Sequence, residues 1–464
     1  MTEVKAGANP IRQDAMMIDI QRYANSKVPR YTSYPTAPHF RPGFPEATYR
    51  DWLAALDPAE TASLYLHVPF CRQLCWYCGC NMKLAARYAP VANYVEDLLA
   101  EVALLSAALP GSMSVAHLHW GGGTPTALMP EDLTRVMDRL RSSFSIAPGA
   151  EIAIESDPRT LTPKMAATIG RLGFTRANFG VQEFDPTVQS AINRVQPLEV
   201  VARAVDGLRS AGVSVVGFDL IYGLPHQTVE TLLTTIEACR AMAPDRIALF
   251  GYAHVPWLAK KQRLIPEAAL PDASARAVQA HRAAEALIAA GYVAIGLDHF
   301  ALPNDAMAVA AREGRLRRNF QGYTTDTAPA LIGVGATAIG RTPRGYVQNI
   351  AETGAWARAI AGGALPVARG IELDDDDRLR GRVIEALMCA GRADTAALGS
   401  LFRRSPDWCT DELVQLEQFV EDGLVELDAG RVALTAEGRG LSRVVASVFD
   451  RYLGTSAARH SLAV

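Results

Sequence analysis

Four of the chain's seven cysteines fall within ten residues, Cys71-Arg-Gln-Leu-Cys75-Trp-Tyr-Cys78-Gly-Cys80, just after the apolar run Leu64-Tyr65-Leu66-His67-Val68. Three thiolates at C-x3-C-x2-C spacing can wrap one face of an iron–sulfur cube and leave one iron without a protein ligand. That open iron is the chemically useful feature. A structural zinc site would need four closed ligands, usually two C-x2-C pairs on separate knuckles, and no second knuckle follows. Thiols kept only as small hydrophobes would scatter through apolar positions, as Cys239, Cys389 and Cys409 do.

The elements that must position this loop are legible as an alternation. Short runs rich in β-branched residues, at 64–68, 115–120, 151–155, 177–181, 213–220, 247–252 and 292–297, read as strands. Between them, apolar residues recur at helical spacing over 91–105, 131–144, 163–172, 198–211, 229–242 and 273–289. Strand–helix alternation predicts a parallel sheet with helices packed on it, an α/β fold. Ligands of such folds sit at the carboxyl ends of the strands. The polar motifs fall there: the cysteine loop after the first strand, Gly121-Gly122-Gly123-Thr124-Pro125 after the second, Glu155-Ser-Asp157-Pro-Arg159 after the third, Gln182 after the fourth, Asp219 in the fifth, and Tyr252-Ala253-His254 after the sixth.

These motifs have ordinary readings too. A glycine run commonly makes a tight turn, although after a strand it also lets backbone approach a ligand. Glu155 and Asp157 could cap a strand end. Gly333-Val-Gly335-Ala-Thr-Ala338 superficially matches a dinucleotide fingerprint, but lacks the flanking βαβ unit near an N-terminus. Tyr65 and His67 alternate on the first strand and so share a face.

Composition excludes several function classes. Hydrophobic residues make up 49% and charged ones 20%, the net charge is −3, and no eighteen-residue apolar run exists, so no membrane span is expected. Glu3, Lys5, Arg12 and Asp14 stand where a signal peptide would be apolar, which predicts a cytoplasmic protein. An odd, clustered cysteine count suits a reducing compartment. Beyond Leu373, Asp374 to Asp377 mark a helix start. A helix, a hairpin over 424–434 and a helix over 441–453 then resemble a winged-helix arrangement. Residues 371–464 carry eleven Arg and no Lys against seventeen acids, a balance of 11 − 17 = −6 that disfavours nucleic acid as a partner. This region is read as a cap or lid.

The cysteine spacing, with an aromatic residue before the third cysteine, resembles the radical S-adenosylmethionine (SAM) superfamily. The Gly-Cys80-Asn81 extension and Pro29-Arg-Tyr-Thr-Ser-Tyr-Pro-Thr36 resemble, more closely, the oxygen-independent coproporphyrinogen III oxidases. The likeness runs from about Arg22 to near the end and is most specific before Asn349.

The resemblance implies a radical SAM, partial TIM-type barrel over 51–365, between an N-terminal arm (1–50) and a small, mostly helical C-terminal domain (366–464). It implies one [4Fe-4S] cluster on Cys71, Cys75 and Cys78, with SAM at the fourth iron. Tyr65, Gly122, Gly123, Thr124, Glu155 and Ile339 would bind that SAM; Tyr77, Gln182, Arg194, Asp219 and Ala253 would bind a second. His67 would neighbour the cluster in electron transfer, and Cys80 would be a non-ligand needed for activity. Departures are Ser156 for an apolar residue and Leu302 for a frequent Arg, and Tyr77 stands where some members have Phe. The implied reaction is decarboxylation of two propionates of coproporphyrinogen III to vinyl groups by a 5′-deoxyadenosyl radical, in a monomer fed by a low-potential donor of flavodoxin or ferredoxin type. Cations such as Arg30 would pair with the substrate carboxylates. Loops 298–300 and 319–323 resemble family segments, while 301–305 departs from a more charged version. Rival readings are a haem-trafficking or a haem-degrading relative on the same barrel, and an iron–sulfur regulator that binds nucleic acid.

Overall fold

The computed structural model describes Tyr23 and residues 26–454. The arm's first residues, with Glu3, Lys5, Arg12, Asp14 and Arg22, and residues 455–464 lie outside the described part.

Seven parallel strands form the centre: β1 (Thr61–Val68), β2 (Ser114–Gly122), β3 (Ser145–Ser156), β4 (Arg176–Gln182), β5 (Val215–Tyr222), β6 (Arg246–Gly251) and β7 (Ala330–Val334). Their spatial order is β7-β1-β2-β3-β4-β5-β6, so the last strand in the chain lies beside the first. Antiparallel strands extend both edges of this thirteen-stranded sheet. Arg246 on β6 reaches Glu151 on β3 at 3.6 Å. Strands three apart are separated by about 14 Å on a flat sheet, so the sheet curls between them.

Each strand buries the face its alternation specifies. On β1, Leu64, Leu66 and Val68 are fully buried. They join one core with Trp120, Phe179, Phe218, Leu220 and Ile332 and with the helices Ala89–Ala108, Pro130–Ser143, Leu198–Ser210 and Val229–Ala241. Local chemistry sets where helices begin: the N-cap side chains of Thr162 and Asp272 accept from the backbone amides of Met165 and Ala275, and Thr228 and Asp374 each complete a capping box.

Two expectations need correction. Residues 292–297 do not supply a parallel strand. Val293–Ile295 turns at Gly296, whose φ is +57, and returns as His299–Ala301, an antiparallel edge hairpin on β6. The seventh parallel strand is Ala330–Val334, which runs into the start of the glycine-containing run, and five residues were too few to stand out. The segment 441–453 is no continuous helix but two short 3-10 turns around Ser442–Ala446. The hairpin Val425–Asp428/Arg431–Leu434 is present, and Arg392–Asp394 makes it three-stranded. This C-terminal region has its own core, which takes in Tyr23, Val28, Tyr31 and Tyr34 of the arm. Among the described residues no helix is long and apolar enough to cross a membrane.

The seam between β7 and β1 is fastened from below. Glu101, fully buried on Ala89–Ala108, accepts the Gly335 amide and the Asn349 side-chain amide, each at 2.6 Å. Burial pushes its carboxyl up to about 8. Tyr94 donates to the His67 carbonyl at 2.7 Å and accepts from the Ala336 amide. Gly335, at φ +101, passes so close that an added Cβ would lie 2.5 Å from the His67 carbonyl oxygen. Gly363 shares the left-handed backbone (φ +77) but faces open space. Gly363→Ala therefore isolates the conformational cost, about 1 kcal/mol. Gly335→Ala is predicted to cost about 1–3 kcal/mol more, measured by urea unfolding, and equal costs would refute this close-packed seam.

Candidate active site

The cysteine loop crosses the carboxyl ends of the strands. Trp76 donates its amide to the Ile192 carbonyl, Asn193 donates its side-chain amide to the Leu74 carbonyl, and Gln262 ties the Tyr77 carbonyl to that of Ala253. Cys71, Cys75, Cys78 and Cys80 thereby line one cavity with Tyr77, Gly122, Gly123, Thr124, Glu155, Asp157, Arg159, Gln182, Arg194 and Asp219. These are residues from five successive strand ends. Ala253 and Ile339 lie outside that lining, Ala253 behind Tyr77 and Ile339 against Phe40, Tyr346 and Ile371.

The sulfurs have different surroundings. Cys71 Sγ meets Thr124 Oγ1 at 3.5 Å, and burial pushes its thiol up to about 11. Cys75 Sγ accepts from Arg194 Nη1 at 3.3 Å and Arg159 Nη2 at 3.5 Å. Cys78 Sγ accepts the Cys80 amide at 3.4 Å. The Cys80 side chain, helped by Lys261 and against the opposing effect of burial, holds the Cys78 thiol low, and Cys80 is driven up in return. Among the described residues no three His, Cys, Asp or Glu groups gather closely enough for a single metal ion. Cysteines that line one cavity suit a multi-iron cluster, whose ligands go to different irons.

Asp157 anchors the two guanidiniums, at 2.6 Å from Arg159 and 3.6 Å from Arg194. One carboxylate faces two buried cations, so one positive charge is left directed at the Cys75 sulfur. Arg194 also donates to the Gly180 carbonyl. Gln182 sits at a register shift between β4 and β5 with φ +70, which turns its side chain into the cavity. Its Oε1 and the Arg194 Nε are buried without hydrogen-bond partners. Buried orphan polar atoms beside a cavity fit a polar ligand.

Glu155 keeps 39% of its side-chain surface open to the cavity. Burial raises its carboxyl, but His119 at 3.0 Å and the Gly122 amide at 3.3 Å outweigh that and hold it below the usual range. Asp219 accepts from Asn178 at 2.8 Å, yet burial, reinforced by Glu155, lifts it to about 7. Neighbouring carboxyls therefore differ in charge state near neutrality.

Tyr65 and His67 are one layer back. Their side chains meet at 3.0 Å, and the His67 Nε2 is 3.3 Å from the Asn81 carbonyl. Burial lowers the imidazole's proton affinity. The glycine run acquires a different reason from the one its sequence suggested. An added Cβ would meet the Glu155 carboxylate at Gly121, the His67 ring at Gly122 and the Phe70 backbone at Gly123, all within 2.9 Å. Protein neighbours already demand the missing side chains. Of the other segments, 298–300 and 319–323 are not loops but largely short strands, and Leu302 and Asp305 run toward the amino ends of the strands, where Asp305 pairs with Arg246. Sequence reasoning missed His119 and Asn178 as partners of the site, their only signal being alternation with residues already singled out on the same strands, and it named Arg159 only as part of the motif after the third strand.

A model of the radical SAM superfamily matches residues 65–239. The chain is 49% identical to the oxygen-independent coproporphyrinogen III oxidase of Bradyrhizobium diazoefficiens, over 95% of this chain and 98% of that relative. It is 44% identical to that of Paracoccus denitrificans, over 95% and 97%. The solved coproporphyrinogen III oxidase of Escherichia coli, described as a radical SAM enzyme, matches with a TM-score of 0.88 and 36% identity, over 92% of this chain and 100% of that chain. With likeness of this degree along nearly its whole length, the chain belongs to the oxygen-independent coproporphyrinogen III oxidase family of the radical SAM superfamily.

Proposed function

We propose that this chain converts coproporphyrinogen III to protoporphyrinogen IX without oxygen, in haem biosynthesis, by oxidative decarboxylation of two propionates to vinyl groups. The observation that carries this reading is the cavity in which Cys71, Cys75 and Cys78 meet polar groups from successive strand ends, within a chain like these enzymes end to end. A [4Fe-4S] cluster with SAM would supply the radical needed to break an unactivated C–H bond, for which no side-chain base has the driving force.

The protein's part is to hold and shield. Cys71, Cys75 and Cys78 would ligate the cluster, with Thr124 against the first sulfur and Arg159 and Arg194 against the second. Gly122, Gly123, Thr124 and Glu155 would seat one SAM, with Tyr65 and Ile339 further out. The ionised Glu155 suits a cationic amino group. Tyr77, Gln182, Arg194, Asp219 and Ala253 would seat a second, using the orphan oxygen of Gln182. His67 would act beside the cluster, and Cys80 as a non-ligand thiol. Each decarboxylation releases one electron beyond the hydrogen atom removed, so the reading requires an acceptor as well as a low-potential donor of flavodoxin or ferredoxin type. It also includes a cytoplasmic monomer with an arm at 1–50, a barrel at 51–365 and a C-terminal unit at 366–464.

Anaerobic reconstitution with iron and sulfide, then incubation with dithionite, SAM and coproporphyrinogen III, is expected to yield 5′-deoxyadenosine together with protoporphyrinogen; deoxyadenosine without any vinyl product would overturn the assignment. Cys71→Ser is expected to lose the cluster absorbance. Cys80→Ser should keep it while turnover falls to background, and a colourless Cys80→Ser protein would make Cys80 a ligand instead. Arg194→Gln removes a buried positive charge beside Cys75, so the cluster's reduction potential should become more negative. An unchanged potential would separate Arg194 from the cluster.

A further inference from the structure

A second group of cations lies next to the cysteine cavity, at the ends of β5 and β6. Arg30 comes from the arm, Arg276 from the first turn of Ala273–Ala289, Arg318 from the hairpin Arg317–Asn319/Gly322–Thr324, and Arg443 from Ser442–Ala446. Arg30 donates to the Gly251 carbonyl at 3.1 Å, Arg276 to the Tyr252 carbonyl at 2.8 Å, and Arg318 to the Arg30 carbonyl at 3.1 Å. Arg318 also lies 4.4 Å over the Tyr323 ring. The four act on one another's surroundings: Arg30, Arg276 and Arg443 all bear on Tyr222, and Arg30 and Arg318 on both Asp298 and Arg443.

Among the described residues, donors of Arg276 and Arg318 are not used up. Arg318 is 9% exposed, yet its Nε and Nη1 have no hydrogen-bond partner, and neither does the buried Arg276 Nε. The acids nearby are too few. Asp298 is bound to His299 at 2.7 Å, Glu385 is taken by Arg317, and Asp450 accepts from Tyr31. Among the described residues, the four cations Arg30, Arg276, Arg317 and Arg318 face two acids, Asp298 and Glu385, a balance of 4 − 2 = +2. Burial, followed by the charge of Arg30, lowers Arg443 to about 10, the direction expected of crowded, desolvated cations. Leaving buried guanidinium donors and net charge uncompensated is costly, and a carboxylate, which takes a guanidinium's paired N–H groups, removes both costs.

We propose that Arg30, Arg276, Arg318 and Arg443 form a polycarboxylate clamp that grips propionate groups of the tetrapyrrole and orients it toward the cysteine cavity. This rests on the decarboxylase reading and adds to it the groups that hold the substrate. Tyr222 lies three residues beyond Asp219 on β5, about 10 Å along the strand. A carboxylate held there leaves the rest of a flat tetrapyrrole to span that distance.

The test uses the reconstituted full chain and the stable, fluorescent tetra-acid coproporphyrin III as probe. Arg276→Gln and Arg318→Gln are each expected to weaken binding at least about tenfold, the scale of one charge-assisted pair, while the exposed Arg404→Gln leaves the affinity unaltered. The wild-type affinity should fall as salt is raised, and the tetramethyl ester should bind poorly. Wild-type affinity in both Gln variants, or equally tight binding of the ester, would overturn the clamp. Should the Gln variants lose iron or fold, Arg276→Lys and Arg318→Lys and the salt series decide it: salt-independent binding refutes it. Wild-type protein that binds the tetra-acid but forms no protoporphyrinogen would refute the decarboxylase reading and leave the clamp standing.

Discussion

A buried chain of charge, from Asp157 through Arg159 and Arg194 to the sulfur of Cys75, ties the cysteine loop to the ends of β3 and β4. Two guanidiniums share one carboxylate, and both also donate to the sulfur. Removing one member would leave the others buried and unmatched, the situation that costs most in a protein interior. The arrangement therefore positions the loop. At Cys71, beside Thr124, burial works against ionisation of the thiol.

The same seam logic recurs at the opposite side of the cavity. Glu101 and Tyr94 hold the turn after β7 against the end of β1, where His67 stands. A single helix thus sets the spacing between the first and last parallel strands, and so the backbone from which the cysteine loop departs. Electrostatics inside the cavity follow from position: Glu155 is ionised because His119 and a backbone amide answer it, whereas Asp219, beside that negative charge, is held near its midpoint at neutral pH.

Much of this was legible in residue order. Period-2 and period-3.6 patterns marked six of the seven parallel strands and the major helices, and every cavity-lining residue singled out in advance lies at a strand end or in the loop after it. What escaped depended on contacts between distant segments. Ala330–Val334 is a strand because β1 offers a free edge, and nothing in its five residues says so. The glycines at 121–123 looked like room for a ligand; Gly122 and Gly123 do line the cavity, and the run also makes room for Glu155, His67 and Phe70. Arg276, Arg318 and Arg443 stand in three unrelated segments, each an unremarkable surface arginine by sequence, and become one cationic group only when the hairpin, the helix start and the C-terminal region meet.

The central claim is that three protein sulfurs hold an iron–sulfur cube whose remaining corner takes a small sulfonium ligand. Electron paramagnetic resonance of the anaerobically reduced protein, recorded before and after addition of SAM, tests it most directly. The account predicts the signal of one reduced [4Fe-4S] cluster per chain, with g values that move when SAM is added. A cluster signal indifferent to SAM, or protein that carries zinc in place of iron, would contradict it.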